Sequence, residues 1–142
     1  MGKDRQRAER SNVQTPDNLR FTRTHEWVEP AGDGTFRVGI TDHAQAQLGD
    51  VIFVELPQPG VNVAVGERFG TIESVKAASD LFAPVGGKVA RRNDVLAERP
   101  DLINSDPYGA GWLLQIEDAG ELPDLLGKEE YEKLISHAGE GN

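Results

Sequence analysis

A mainly β fold, a small sandwich or barrel with short helices and one C-terminal helix, is predicted by three features of the 142-residue sequence. Short apolar runs alternate with polar residues at the period of a half-buried strand. Glycines and prolines punctuate those runs at turn spacing. A hydrophobic content of 37% suffices for one compact core and not comfortably for two.

Residues 1–19 are polar, with Val13 and the final Leu19 their only aliphatic residues larger than alanine, and are expected to be a flexible tail before a single domain over 20–142. In the domain, Thr35–Ile40 alternates with Phe36, Val38 and Ile40 on one face and reads as a strand. Asp42 is placed as the N-cap of a short helix through Leu48 that Gly49 ends. Val51–Leu56 is almost continuously apolar, Val61–Val65 alternates, and Phe69–Ser74 and Leu81–Ala83 are extended on either side of Lys76. Lys88–Ala90 is a further short strand. Brief helical turns follow between Asn93 and Asn104, interrupted by Pro100. Gly111–Ile116 puts Trp112, Leu114 and Ile116 on one face. Pro123–Asp124 opens the C-terminal helix, over about 123–137, through Leu125, Leu126, Tyr131, Leu134 and Ile135.

Composition removes whole classes of function. With no cysteine there is no disulfide, thiolate nucleophile or Cys-based metal site. His25, His43 and His137 show no metal-ligand spacing, so no metal site is expected. A formal charge of −9 argues against nucleic acid and anionic membrane surfaces and favours basic partner surfaces. Much of that charge is local, since Glu117 to Asn142 holds eight acidic residues against Lys128 and Lys133. No apolar run is long enough to span a membrane. The N-terminus lacks the apolar core of a secretory signal, so a cytoplasmic, bacterial protein is expected. No Ser/His/Asp set of a hydrolase is recognisable, and an enzyme is not expected.

Lys76 lies between two strand-like runs, with Gly66 and Gly86 ten residues to either side, which places it at a hairpin tip. A solvated ammonium on a flexible stem suits acylation better than general-base work. An arbitrary lysine is an ordinary surface residue, so the surrounding residues must carry the assignment. They do: Glu73-Ser74-Val75-Lys76-Ala77 resembles the lipoyl-lysine hairpin of the glycine cleavage H-protein family. The resemblance continues in family order through His25-Glu26-Trp27-Val28, Gly39–Gln45, Leu48–Val51, Phe53–Pro57, Ala83–Val85, Leu102–Gly109 and Gly111–Leu113. It covers roughly Arg20 to Ile116. The chain departs from the family pattern at Gly87-Lys88, where Gly-Glu is usual, and at Arg91-Arg92, which replaces a less basic stretch.

The resemblance implies a hybrid barrel-sandwich of the lipoyl/biotinyl-carrier type, which periodicity alone does not reach. It implies lipoic acid joined to Lys76 by an amide, as N6-lipoyllysine, supplying two sulfurs that the chain lacks. The protein would shuttle an aminomethyl group, as a carrier in glycine catabolism and one-carbon metabolism. Its implied partners are glycine decarboxylase, a tetrahydrofolate-dependent aminomethyltransferase and dihydrolipoyl dehydrogenase. A lipoate ligase or octanoyltransferase, with lipoyl synthase, would load it, and a monomer is expected. Glu73, Ser74, Val75 and Ala77 would form the recognition hairpin; local backbone bonding at Ser74 and Asp80 and solvation at Glu73 are the plainer alternatives. Thr24, Glu26 and Asp80 would line a groove receiving the cationic end of the arm. His25 and Trp27 are read as structural. Biotin carriers flank their lysine with methionines, whereas Met1 is the sole methionine here. Two other readings stay open: a lipoate or octanoate relay protein of the same fold, and an interaction module with Lys76 unmodified.

Overall fold

The computed structural model describes residues 18–120 and 122–140, with the side chains of 137–140 left aside. Its elements are β1 (Arg20–Phe21), β2 (Glu26–Gly32), β3 (Thr35–Ile40), α1 (Asp42–Leu48), β4 (Val51–Glu55), β5 (Asn62–Val63), β6 (Arg68–Ser74), β7 (Ala78–Phe82), β8 (Gly87–Arg92), a 3-10 turn (Asp94–Ala97), α2 (Leu102–Ser105), β9 (Leu114–Glu117) and α3 (Lys128–Glu140). A six-stranded sheet runs β1-β2-β3-β9-β8-β5 and a three-stranded sheet runs β4-β6-β7. Every pairing is antiparallel. This is the mainly β, two-sheet architecture expected.

One core unites the two sheets: Val28, Val38, Ile40, Leu114 and Ile116 from the larger and Val51, Phe69, Ile72 and Leu81 from the smaller. Removing this apolar surface from water is the main favourable term in folding. A second cluster of Leu19, Phe21, Trp27 and Tyr131 lies beneath α3. Glu26, Trp27 and Val28 are therefore buried in succession, because this part of β2 is covered on both faces.

Several boundaries differ from expectation. The tail assignment over 1–19 stops short at its end: Leu19 is 2% exposed and belongs to the second core. Residues 1–17 lie outside the described residues. Strands β1 and β2 were not legible: β1 is only two residues long, and in β2 three successive buried residues show no alternation. The N-cap of α1 is Thr41, whose Oγ1 accepts from the Ala44 N–H at 3.2 Å, and not Asp42. Gly49 ends α1 as expected, with φ of 80°. The run over 61–65 contributes only Asn62–Val63, and that over 111–116 begins its pairing at Leu114.

Helix α3 begins at Lys128, not at Pro123. The preceding residues are extended because Leu126 and Phe21 exchange backbone hydrogen bonds of 2.8 Å in both directions. Glu130 then reaches back to accept the Gly127 N–H at 3.0 Å, half of a capping box.

Candidate functional site

The hairpin β6–β7 presents Lys76 at an exposed tip. Ser74, 7% exposed, organises it: its N–H donates to the Ala77 carbonyl at 2.8 Å, and its Oγ accepts from the N–H groups of Ala77 at 3.1 Å and Lys76 at 3.3 Å. A hydroxyl that takes two successive amides fixes the turn without a glycine. The Val75 N–H donates to the Asp50 carbonyl at 3.0 Å, tying the tip to the start of β4. The lysine stem lies against Gly49, where an added Cβ would stand 3.3 Å from Lys76 Cε. Asn104 on α2 supports that turn from behind, donating to the Gly49 carbonyl and accepting the Val51 N–H.

Beside the tip, between the two sheets, is a cleft of about 280 Å³ lined among others by Thr24, His25, Glu26, Ala77 and Asp80. The sequence candidates Thr24, Glu26 and Asp80 thus share one cavity. Glu73 and Val75 are exposed and do not line it. Ile40, Leu48, Ile72 and Leu81 supply an apolar part of the wall. No sequence pattern placed these four in a groove: Ile40, Ile72 and Leu81 lie in strand-like runs that mark them only as core, and Leu48 ends a short helix.

Glu26 is 1% exposed. One carboxylate oxygen accepts the hydroxyls of Thr22, at 2.6 Å, and Thr24; the other accepts the Phe82 N–H from β7 at 3.1 Å. A carboxylate offers about four acceptor positions, so one is left. Burial raises the Glu26 pKa above the usual carboxylate range, opposed by the hydrogen bonds from Thr22, Thr24 and Phe82.

His25, in the left-handed region at φ 75°, connects the cleft to α3. Its Nδ1 is 2.8 Å from the Tyr131 hydroxyl, which is 2.7 Å from the Thr41 hydroxyl. Burial lowers the His25 pKa, and His43, with ring centroids 4.9 Å apart, lowers it further. Burial pushes the Tyr131 hydroxyl up to about 12. The sequence reading of His25 as structural holds for this bond, yet the ring also faces the cleft. Trp27 is fully buried, its Nε1 donating to the Pro107 carbonyl at 3.1 Å. Tyr131 escaped notice as a polar partner because its place on a helical face accounted for it as core.

Among the described residues no group of three or more His, Asp or Glu could hold a metal ion, and no helix is long and apolar enough to cross a membrane.

Comparison with known proteins gives one answer at every level. The model of the family described as "Glycine cleavage H-protein" matches residues 19–138. The chain is 54% identical over 127 residues to the glycine cleavage system H protein of Pseudoalteromonas atlantica, covering 88% of this chain and 97% of that one. It is 57% identical over 123 residues to that of Rubrobacter xylanophilus, covering 87% and 96%. The crystal structure of a glycine cleavage system H protein from Mycobacterium marinum superposes with a TM-score of 0.80 at 40% identity, over 85% of this chain and 98% of that one. With hairpin, cleft and two-sheet body in place, the family model spanning nearly the whole folded part shows that this chain belongs to the glycine cleavage H-protein family.

Proposed function

We propose that Lys76 carries lipoate through an amide, and that Thr24, Glu26 and Asp80 form the polar side of a cleft that shelters the arm when loaded. The carrier role in glycine cleavage comes with the family; the attachment residue follows from the family pattern around Lys76, and the cleft's role is inferred from the geometry. The observation that carries the reading is the exposed lysine on a hydroxyl-locked turn directly beside a cleft of mixed lining.

The residues present fit the group. Lys76 is exposed at the tip, and Gly49 leaves room along its stem. Bound lipoate supplies a disulfide that opens to accept a one-carbon unit bearing an amine and is later re-formed from the dithiol. Everything else falls to the chain. Ile40, Leu48, Ile72 and Leu81 cover hydrocarbon and exclude water. Glu26 keeps an acceptor position for a cationic amine, a charge-assisted hydrogen bond worth about 1.5–3 kcal/mol. Burial, and after it His43, lowers the His25 pKa and so disfavours a positive charge beside that amine. Lys76 itself loses its charge on acylation.

Carrier function requires partners that recognise the tip: the decarboxylase, the aminomethyltransferase and the dehydrogenase of glycine cleavage, and the lipoate-attaching enzymes. The deciding experiment is intact mass with peptide mapping of protein made in cells with an active lipoylation pathway. One lipoyl increment at Lys76, absent from Lys76→Arg, is expected; an unmodified Lys76 in such cells would overturn the reading.

A further inference from the structure

Strand β4 carries one residue too many against β6: Val51 faces Ser74 and Phe53 faces Glu73, so Ile52 is the extra residue of a bulge. Regular alternation sends one of two successive residues inward. Here both point out, Ile52 at 56% and Phe53 at 53% exposure. Bulges re-aim side chains in this way, often beside functional sites. Val75, at 66%, is brought alongside by the bond from its N–H to Asp50. Three large apolar side chains thus lead to Lys76, with Asp50, Glu55 and Glu73 exposed around them. β4 is the edge strand of its sheet, tied at its two ends by side chains: the Val51 N–H donates to Asn104 and the Leu56 carbonyl accepts from Arg92.

What covers such a surface is decided by reach. Enzymes that use a finished arm meet a group extended well beyond the hairpin. The enzyme that makes the amide must bring a carbonyl carbon to an unextended lysine, whose nitrogen stands on the order of 6 Å from its own backbone. Its surface has to close over Val75 and whatever adjoins it. We propose that Ile52, Phe53 and Val75 form the docking platform of the lipoate-attaching enzyme, which meets them with an apolar centre and a basic rim complementary to the three carboxylates. This rests on Lys76 as the attachment site.

The test uses the full chain, a purified lipoate ligase, lipoate and ATP, with acylation followed by intact mass. Ile52→Ser and Phe53→Ser are each expected to raise KM for the protein roughly tenfold, with kcat within about twofold, and Phe53→Leu to restore most of the loss. Unchanged circular dichroism and Tm establish that the variants are folded. Lys76→Ala with the platform intact should inhibit acylation of the wild type competitively, and Lys76→Ala combined with Phe53→Ser should not. Equal KM values for wild type and Phe53→Ser would overturn the platform. So would a wild-type dimer in sedimentation that Phe53→Ser dissolves, since a second copy would then be the occupant. A wild type that is not acylated at Lys76 would instead overturn the attachment assignment, leaving the two failures distinct.

Discussion

Glu26 and Ser74 show how single side chains set the terms for the site. The folded-state pKa of Glu26 is raised from 4.5, chiefly by burial. A raised carboxyl pKa favours folding while both states are protonated, and that advantage is lost as pH climbs from 4.5 through the folded value. Glu26→Gln removes the titration while keeping an acceptor for the Phe82 N–H. Wild type should therefore gain stability relative to Glu26→Gln as pH falls toward 4.5. Urea midpoints across that range check this; a constant difference would contradict it. Ser74→Ala deletes the hydroxyl that holds the amides of Lys76 and Ala77 and should cost about 1 kcal/mol. It should also speed hydrogen exchange at those two amides while leaving the remainder of β6 protected.

At the scale of elements, α3 is fastened by the stack of Phe21 on Tyr131, with centroids 4.6 Å apart, and by the Tyr131 hydroxyl. Tyr131→Phe keeps the stack and removes the hydroxyl partner of His25 and of the fully buried Thr41, which retains only the Ala44 N–H. A loss of about 1–3 kcal/mol in chemical denaturation is expected, with earlier exchange of the α3 amides than of β3; a neutral result would show the hydroxyl to be dispensable. Elements also differ in how far they could be read. Strand β3 was legible from end to end because Phe36, Val38 and Ile40 pack on the main core while Thr35 and Arg37 do not; Gly39 is buried as well, on the other face against Trp27. Strand β2 was not, since α3 covers its other face. Val51–Leu56 read as a buried strand, and nothing in that apolar run discloses that a bulge turns Ile52 and Phe53 outward. The start of α3 followed Pro123-Asp124 in the sequence, whereas the bridge to Phe21 keeps that stretch extended, a tertiary pairing across more than a hundred residues.

For the whole molecule, strand β2 belongs to both cores, with Trp27 facing one and Val28 the other. The two cores should unfold together: tryptophan fluorescence and far-ultraviolet circular dichroism are expected to give coincident urea transitions, and separated midpoints would show α3 and its cluster to melt alone. The cleft was legible only through the family pattern that singled out Thr24, Glu26 and Asp80. The bond between Glu26 and Phe82 joins residues 56 positions apart, one in each sheet, and no local periodicity encodes such a meeting. That bond works as a rivet between the sheets, and its consequence is kinetic. A guest cation must share Glu26 with three donors already seated there, so its hold is capped by competition instead of growing with the depth of burial. On the proposed function, such a cleft would detain the loaded arm for a while and release it to a partner, where a tighter pocket would make a dead end.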